Sequence, residues 1–388
     1  MNEPKIRFKG FSGEWEEHSL AEKDFSIIAG GDIDRTIIQK SGRYPVIANA
    51  ITSDGILGYY EKSYRVKGPA VTVTGRGDVG MAFARHYSFT PVVRLLAIKS
   101  THNVDFLANA INLCQVPIES TGVPQLTTYK LQEYNLFMPY TIDEENKLAS
   151  FFTTLDSLIQ STTKKIESLK QVKAASLQSM FPQEGETKPR VRFKGFEGEW
   201  EKVAIKKIAT FSKGRGYSKS DLRVAGSPII LYGRMYTKYE ACIKQVDTYV
   251  NPKPNSIYSL GNEVIMPASG ETPEDISCAS AVQARGIILG GDLNVLRFNI
   301  DYYDTTFVAL SMSIGQIKKD LSNMAQGKSV VHLHNSDIEK VDMFIPSFAE
   351  QQKIASYFTS LDSQITLQTQ RLEKLKQIKS ACLDNMFV

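Results

Sequence analysis

KLASFFTTLDSLIQSTTKKIESLKQVKAASLQSMF, residues 147–181, returns almost intact as KIASYFTSLDSQITLQTQRLEKLKQIKSACLDNMF, residues 353–387. The offset is 206 from end to end, with no gap. Seam positions in the first copy step by four and three through Leu148, Phe152, Leu155, Ile159, Thr162, Ile166 and Leu169. The second copy gives Ile354, Phe358, Leu361, Ile365, Gln368, Leu372 and Leu375. A 4/3 seam sustained over several turns is the coiled-coil pattern. Helices of roughly 38 residues would each run roughly 55–60 Å at 1.5 Å per residue, longer than a globular domain needs. One seam position is polar in both copies, Thr162 and Gln368, and a buried polar layer costs stability while fixing register. The expected arrangement is an antiparallel pair under a pseudo-two-fold axis, with Thr162 and Gln368 facing each other near the middle. The alternative is two helices packed separately on their own domains. Cations crowd the later part of each helix (Lys164, Lys165, Lys170, Lys173; Arg371, Lys374, Lys376, Lys379) as either a solvated face or a backbone-facing stripe.

A second repeat precedes each helix. PKIRFKGFSGEWEE from Pro4 matches PRVRFKGFEGEWEK from Pro189, with Trp15 falling on Trp200 at an offset of 185. The difference between 206 and 185 puts 21 additional residues in the second half. Weaker landmarks keep their order between the repeats: Tyr44-Pro-Val-Ile with Ser227-Pro-Ile-Ile, the stretch from Gly68 with that from Gly261, and Asn103-Val-Asp-Phe with Asn299-Ile-Asp-Tyr. Each half therefore reads as a divergent globular domain followed by a constant helix. The boundaries are a first domain at 1–141, a helix at 142–181, a polar Pro/Gly linker at 182–189, a second domain at 190–348 and a helix at 349–388. Trp15 and Trp200, lying in the constant segments, are expected in the cores.

Composition narrows the class. With 388 residues the chain fits two or three domains, and 42% hydrophobic content suffices for packed cores. No run approaches the 18 apolar residues of a membrane span, and the N-terminal stretch lacks the apolar core of a secretory signal, so a cytoplasmic protein is expected. Four scattered cysteines, Cys114, Cys242, Cys278 and Cys382, read as incidental thiols. The net charge is only +4, but residues 190–223 carry ten basic and four acidic side chains, and residues 61–99 carry seven and two. Such clustering suits a polyanion and equally describes a solvated face.

The divergent segments are rich in short β-branched runs bounded by glycine, such as Ala70–Thr74, Val92–Ile98 and Val264–Met266, which predict mixed α/β domains. A helix is expected after Asp105 and after Asp301, each as an N-cap. Gly75-Arg-Gly-Asp-Val-Gly80 spells G-x-G-x-x-G, yet the residues after it look extended, where a dinucleotide fold needs a helix. That loop is better read as bringing backbone and Arg76 to a DNA phosphate or base edge, or as a plain turn. Gly30–Arg35 and Lys213–Lys219 form another such pair, and Thr121–Gln125 and Gln326–Ser329 a third. The candidate DNA-contacting residues are Arg35, Arg43, Thr74, Arg76 and Gln125 in the first domain. In the second they are Lys213, Arg215, Tyr217, Lys219, Arg234, Ser269, Lys328 and His332. His332 and His334 alternate on a predicted strand without neighbours at metal-ligand spacing, so no metal site is expected.

No Walker loop, G-x-S-x-G elbow, HExxH, amino-methyltransferase tetrapeptide or nuclease carboxylate cluster is present in the sequence. The RFKGF-x-GEWE segments, the Met138-Pro139 and Ile345-Pro346 lead-ins and the two repeated helices resemble the specificity subunits of type I restriction–modification systems along essentially the whole chain. Glu350-Gln351-Gln352 follows the family pattern, from which Glu144-Glu145-Asn146 departs slightly. The resemblance implies an α+β chain with two target-recognition domains and an antiparallel helical spacer, without catalysis or cofactor of its own. It further implies two DNA adenine methyltransferase subunits and ATP-driven restriction subunits as partners, which would use S-adenosylmethionine, ATP and Mg. Each recognition domain would read half of a bipartite double-stranded DNA site, with the helices setting the spacing. Two other readings stay open: a scaffold whose domains bind protein or glycan, and a self-sufficient nuclease or methyltransferase.

Overall fold

The computed structural model describes residues 2–114 and 124–388. The chain divides into two compact units, residues 1–164 with 370–388 and residues 165–369. The long helices run Ile142–Ser179 and Phe348–Met386, so each begins in one unit and ends in the other.

In the first unit the strands Ser26–Ala29, Leu95–Lys99, Ala70–Thr74 and Ala82–Arg85 form an antiparallel sheet in that order. Every residue of Ala70–Thr74 is buried because both faces of this strand are covered. Val71 and Val73 pack with Phe106, Leu107 and Ile111 of the helix Val104–Leu113. Ala70 turns the other way, to Ile47, Val66 and Phe89 beside a smaller sheet of Ile56–Tyr60, Tyr44–Ile47 and Thr90–Pro91. A two-stranded ribbon, Glu16–Ser19 against Asn135–Met138, leads to the long helix.

The second unit repeats this plan. Ala209–Lys213, Leu293–Phe298, Glu263–Pro267 and Ser280–Val282 take the same order, extended by Cys242–Ile243. Val264 and Met266 face the core of Phe307, while Ile265 faces Ile230, Ile287 and Leu289. The registers place Thr74 opposite Leu95 and Pro267 opposite Leu293, so Thr74 corresponds to Pro267 and Arg94 to Asp292. The offset between halves therefore climbs from 185 at the tryptophans to 193 and 198 at these positions and 206 at the helices. The extra residues thus enter at several places between the shared strands and helices, the second unit adding the strand Cys242–Ile243 among them.

Both helix N-caps differ from the expected aspartates. Asn103 caps Val104–Leu113, its side chain accepting from the Asp105 and Phe106 N–H groups, and Asp304 caps Thr305–Met312 by accepting from the Phe307 N–H. The equivalence of Asn103 with Asp304 is set by the long helices. The Asn103 N–H donates to Glu145 and the Asp304 N–H to Gln351, at 2.9 and 3.0 Å. Asp105 lies inside the first turn, and Asp301 precedes the second helix by four residues.

The constant sequences do constant work. Arg7 grips both oxygens of buried Glu144 at 2.7 Å and donates to the Gly13 carbonyl at 2.5 Å. Arg192 does the same to Glu350, at 2.6 and 2.7 Å, and to the Gly198 carbonyl at 2.6 Å. Each leading segment is thus locked to the start of the long helix in its own unit. Trp15 and Trp200 are 2% and 3% exposed, within the cores.

The end of the other long helix completes each core. Phe387 stacks on Phe106 at 5.3 Å and meets Trp15 edge-on at 5.9 Å. Phe181 stacks on Phe307 at 5.7 Å and meets Trp200 at 6.1 Å. In the first unit Phe152 packs with Phe387 while Asp156 pairs with Lys379, so the two helical segments lie antiparallel. In the second, Phe358 packs with Phe181, Tyr357 bonds Ser176 at 3.0 Å and Asp362 pairs with Lys173, again antiparallel. Leu148, Phe152, Leu155, Thr162, Ile166, Ile354, Phe358 and Leu361 are buried. Ile159, Leu169, Ile365, Gln368, Leu372 and Leu375 are half-buried. Thr162 satisfies its hydroxyl within its own helix by donating to the Leu158 carbonyl at 2.7 Å.

Candidate nucleic-acid interface

Gly75–Gly80 connects the hairpin strands Ala70–Thr74 and Ala82–Arg85. A strand follows the glycines, so no helix N-terminus is offered to a pyrophosphate. Instead the loop is knitted to three other segments. Asn49 Oδ1 accepts from the Gly75 N–H at 2.8 Å, and Asn49 Nδ2 donates to the Val93 carbonyl at 3.0 Å. The Leu126 N–H donates to the Gly75 carbonyl at 3.0 Å, and Arg76 and Gln125 face each other as a β-bridge. A β-carbon at residue 75 would lie 2.2 Å from the Arg94 carbonyl oxygen, which makes glycine obligatory for this approach.

Arg76 and Gln125, from loops 49 residues apart in sequence, thus share one exposed edge. Arg94, which the sequence reading did not select, joins them by donating to Gln125 Oε1 at 3.1 Å. Arg35 lies exposed in the neighbouring loop, whose Gly30 N–H donates to the Leu95 carbonyl at 2.7 Å. Arg65, also missed, braces that loop by donating to the Asp32 carbonyl at 2.9 Å. Arg43 is exposed, its guanidinium 5.2 Å from the Tyr44 ring centre. Thr74 is buried; its hydroxyl donates to the Asp78 carbonyl and accepts from the Met81 N–H, tying the hairpin shut. Its role is therefore to hold the loop. Thr121, Gly122 and Val123 lie outside the described residues.

The second unit presents the same edge with different side chains. The Gly214 N–H donates to the Leu293 carbonyl at 2.9 Å, as Gly30 does to Leu95. Ser269 pairs with His332 where Arg76 pairs with Gln125. Lys213, Arg215, Lys219, Lys328 and His332 are exposed. The His332 ring stacks on that of His334, centres 6.2 Å apart, and no metal-ligand group occurs among the described residues. The predicted strand under them is short: Val331–His332 is extended, and His334 already precedes the helical turn Asn335–Ile338.

Three candidates here act inward. Ser269 is buried. Arg234 has a side chain only 8% exposed, paired with Glu240 at 2.7 Å and Asp247 at 3.6 Å. Tyr217 sits at φ 64°, its hydroxyl bonded to Ser256 and to the Lys253 N–H, with the Lys253 ammonium 4.7 Å from its ring centre. Tyr217 therefore holds the adjoining turn, where the sequence suggested a DNA contact. Burial pushes the Cys114 and Cys278 thiols up to about 11, away from the reactive thiolate form.

Comparison with known proteins bears on this duplicated edge. The family described as type I restriction modification DNA specificity domain matches residues 13–171 and again residues 197–377. A Mycoplasma pneumoniae protein named as a type I specificity subunit is 31% identical over 118 residues, which are 30% of this chain and 31% of that protein. The MjaVIII specificity subunit of Methanocaldococcus jannaschii is 20% identical over 282 residues, 69% of this chain and 64% of that one. The matched stretches thus span about a third and just under two thirds of these relatives. The crystal structure of the type I restriction–modification S subunit from M. genitalium aligns over 100% of this chain and 99% of its own, with a TM-score of 0.69 at 13% identity. At that identity the likeness is one of fold. With the domain matched twice over most of its length, the chain belongs to the family of type I restriction–modification DNA specificity domains.

Proposed function

We propose that the chain is the DNA-reading subunit of a cytoplasmic type I restriction–modification complex, each unit reading one half of a bipartite duplex site. The observation that carries this is the duplicated exposed edge. In both units a glycine loop, a β-turn and the segment before the ribbon strand are fastened together, by backbone hydrogen bonds and in the first unit also by the Asn49 side chain, while the outward side chains differ. A constant frame with variable, mainly cationic tips suits two related surfaces that read different base sequences. The repeated helices space the two half-sites. Two methyltransferase subunits and the restriction subunits dock on the chain and supply the chemistry with S-adenosylmethionine, ATP and Mg. The chain itself binds no cofactor and catalyses no step. Among the described residues no helix is long and apolar enough to cross a membrane.

The test is to express the chain with a modification subunit and map the methylated sites. The expected outcome is a split motif with unread base pairs between its halves, and a binding constant whose logarithm falls linearly with log salt concentration. Exchanging the first recognition domain for that of a relative should change one half-site and leave the other. A continuous motif, or no sequence preference with salt-independent binding, would overturn the reading.

A further inference from the structure

Arg94 occupies a place in the fold that suits glycine. The Leu95 N–H donates to the Val92 carbonyl at 3.0 Å, closing the turn Val92-Val-Arg-Leu95. Arg94 stands third in this turn at φ 72°, where glycine or asparagine normally supplies the left-handed backbone. A residue held there against its own preference persists only where its surroundings over-determine it, and such residues gather at functional sites.

The surroundings do over-determine it. Asn49 fastens the Val93 carbonyl, and Gly75 packs directly against the Arg94 carbonyl. The side chain is exposed yet oriented by its bond to Gln125, and no carboxylate pairs with it among the described residues. One guanidinium nitrogen makes that bond, and the other two have no protein partner among the described residues. In the second unit the equivalent turn residue is Asp292, also left-handed at φ 55° and also exposed. Its carbonyl accepts from the Ala268 N–H at 2.7 Å, fastening this turn to the corresponding loop. Backbone role and exposure are therefore kept while the side-chain charge is reversed. A phosphate clamp would not carry a carboxylate, so phosphate contact does not explain this position in both units.

Resting on the DNA-recognition reading above, we propose that this left-handed turn position determines specificity in both domains. Arg94 donates to the O6 and N7 acceptors of a guanine in the major groove, with Gln125 as its positioning residue. Asp292, at the same place in the second domain, accepts from the exocyclic amino group of a cytosine or adenine.

The test uses the full chain expressed with a modification subunit, with randomised duplex pools as the probe. Arg94→Gly should leave the melting temperature unchanged or raised, since glycine relieves the turn. It should reduce discrimination at one guanine of the first half-site by about 5- to 150-fold, with the salt slope unaltered. Asp292→Gly should relax a single position of the second half-site, and Gln125→Leu should weaken the Arg94-dependent position alone. Unchanged discrimination in Arg94→Gly, or a uniform loss of affinity with a slope flattened by about one unit, would make Arg94 a bystander or a phosphate contact and overturn the proposal. A wild-type complex without any sequence preference would remove the recognition reading itself, and this proposal with it.

Discussion

Phe387→Ala should destabilise one half of the molecule selectively. Phe387 is 7% exposed and touches three aromatic rings of the first unit: Phe106 at 5.3 Å, Phe152 at 5.7 Å and Trp15 at 5.9 Å. Truncating a buried phenylalanine costs about 3–5 kcal/mol, through lost transfer energy and the cavity left behind. Three aromatic partners, each contributing about 0.5–1.5 kcal/mol beyond area burial, place this site in the upper part of that range. With a urea dependence of about 2 kcal/mol per molar, a loss of about 4 kcal/mol lowers the midpoint of the first unit by about 2 M. The chain provides its own probes, because its two tryptophans, Trp15 and Trp200, lie one in each unit. Trp200→Phe leaves Trp15 as the fluorescent reporter of the first unit, and Trp15→Phe leaves Trp200 for the second. In Phe387→Ala the Trp15 transition should fall by about 2 M while the Trp200 transition stays within a few tenths of its original midpoint. Phe181→Ala, whose ring packs on Trp200 and Phe307, should give the mirror image. A Trp15 shift below about 0.5 M, or equal shifts of both transitions, would refute the claim that each helix end completes the core of one unit.

Two further outcomes follow from the ion pairs. Arg7→Ala strands the buried Glu144 carboxylate and should cost the first unit about 3–5 kcal/mol. Asp156→Ala, which removes the more exposed pair with Lys379, should cost less than about 1 kcal/mol in the same Trp15-reported urea titration. The Glu145 carboxylate, 2.7 Å from His102 Nδ1, raises the His102 pKa above its ordinary value. A folded-state pKa above the unfolded one gives stability that is complete below the unfolded value, near about 6.5, and is lost as pH rises through the folded value. The Trp15 midpoint should therefore fall on raising pH through that window. Glu145→Gln, which introduces the residue the second unit carries as Gln351, should flatten the profile, and a slope unchanged by it would exclude the pair as its source.

The duplication, the two long helices, the glycine loops and the core tryptophans were legible in the sequence, because each is written locally. A 4/3 seam states a helix and its buried face, and a repeat states that one frame is used twice. Position-specific roles were not legible where they depend on partners brought from afar. Thr74, Ser269 and Arg234 carry polar groups typical of a DNA contact, and only the packing shows them turned inward. Arg94 reads as one basic residue in an apolar run until the turn places it beside Gln125, 31 residues on. The N-caps moved from Asp105 and Asp301 to Asn103 and Asp304 because the long-helix residues Glu145 and Gln351 fix where each helix starts. Nor does local patterning reveal that Phe387 completes a core begun at Trp15. Sequence periodicity specifies which face of an element is buried; strand register and the return of the chain decide which residues meet there.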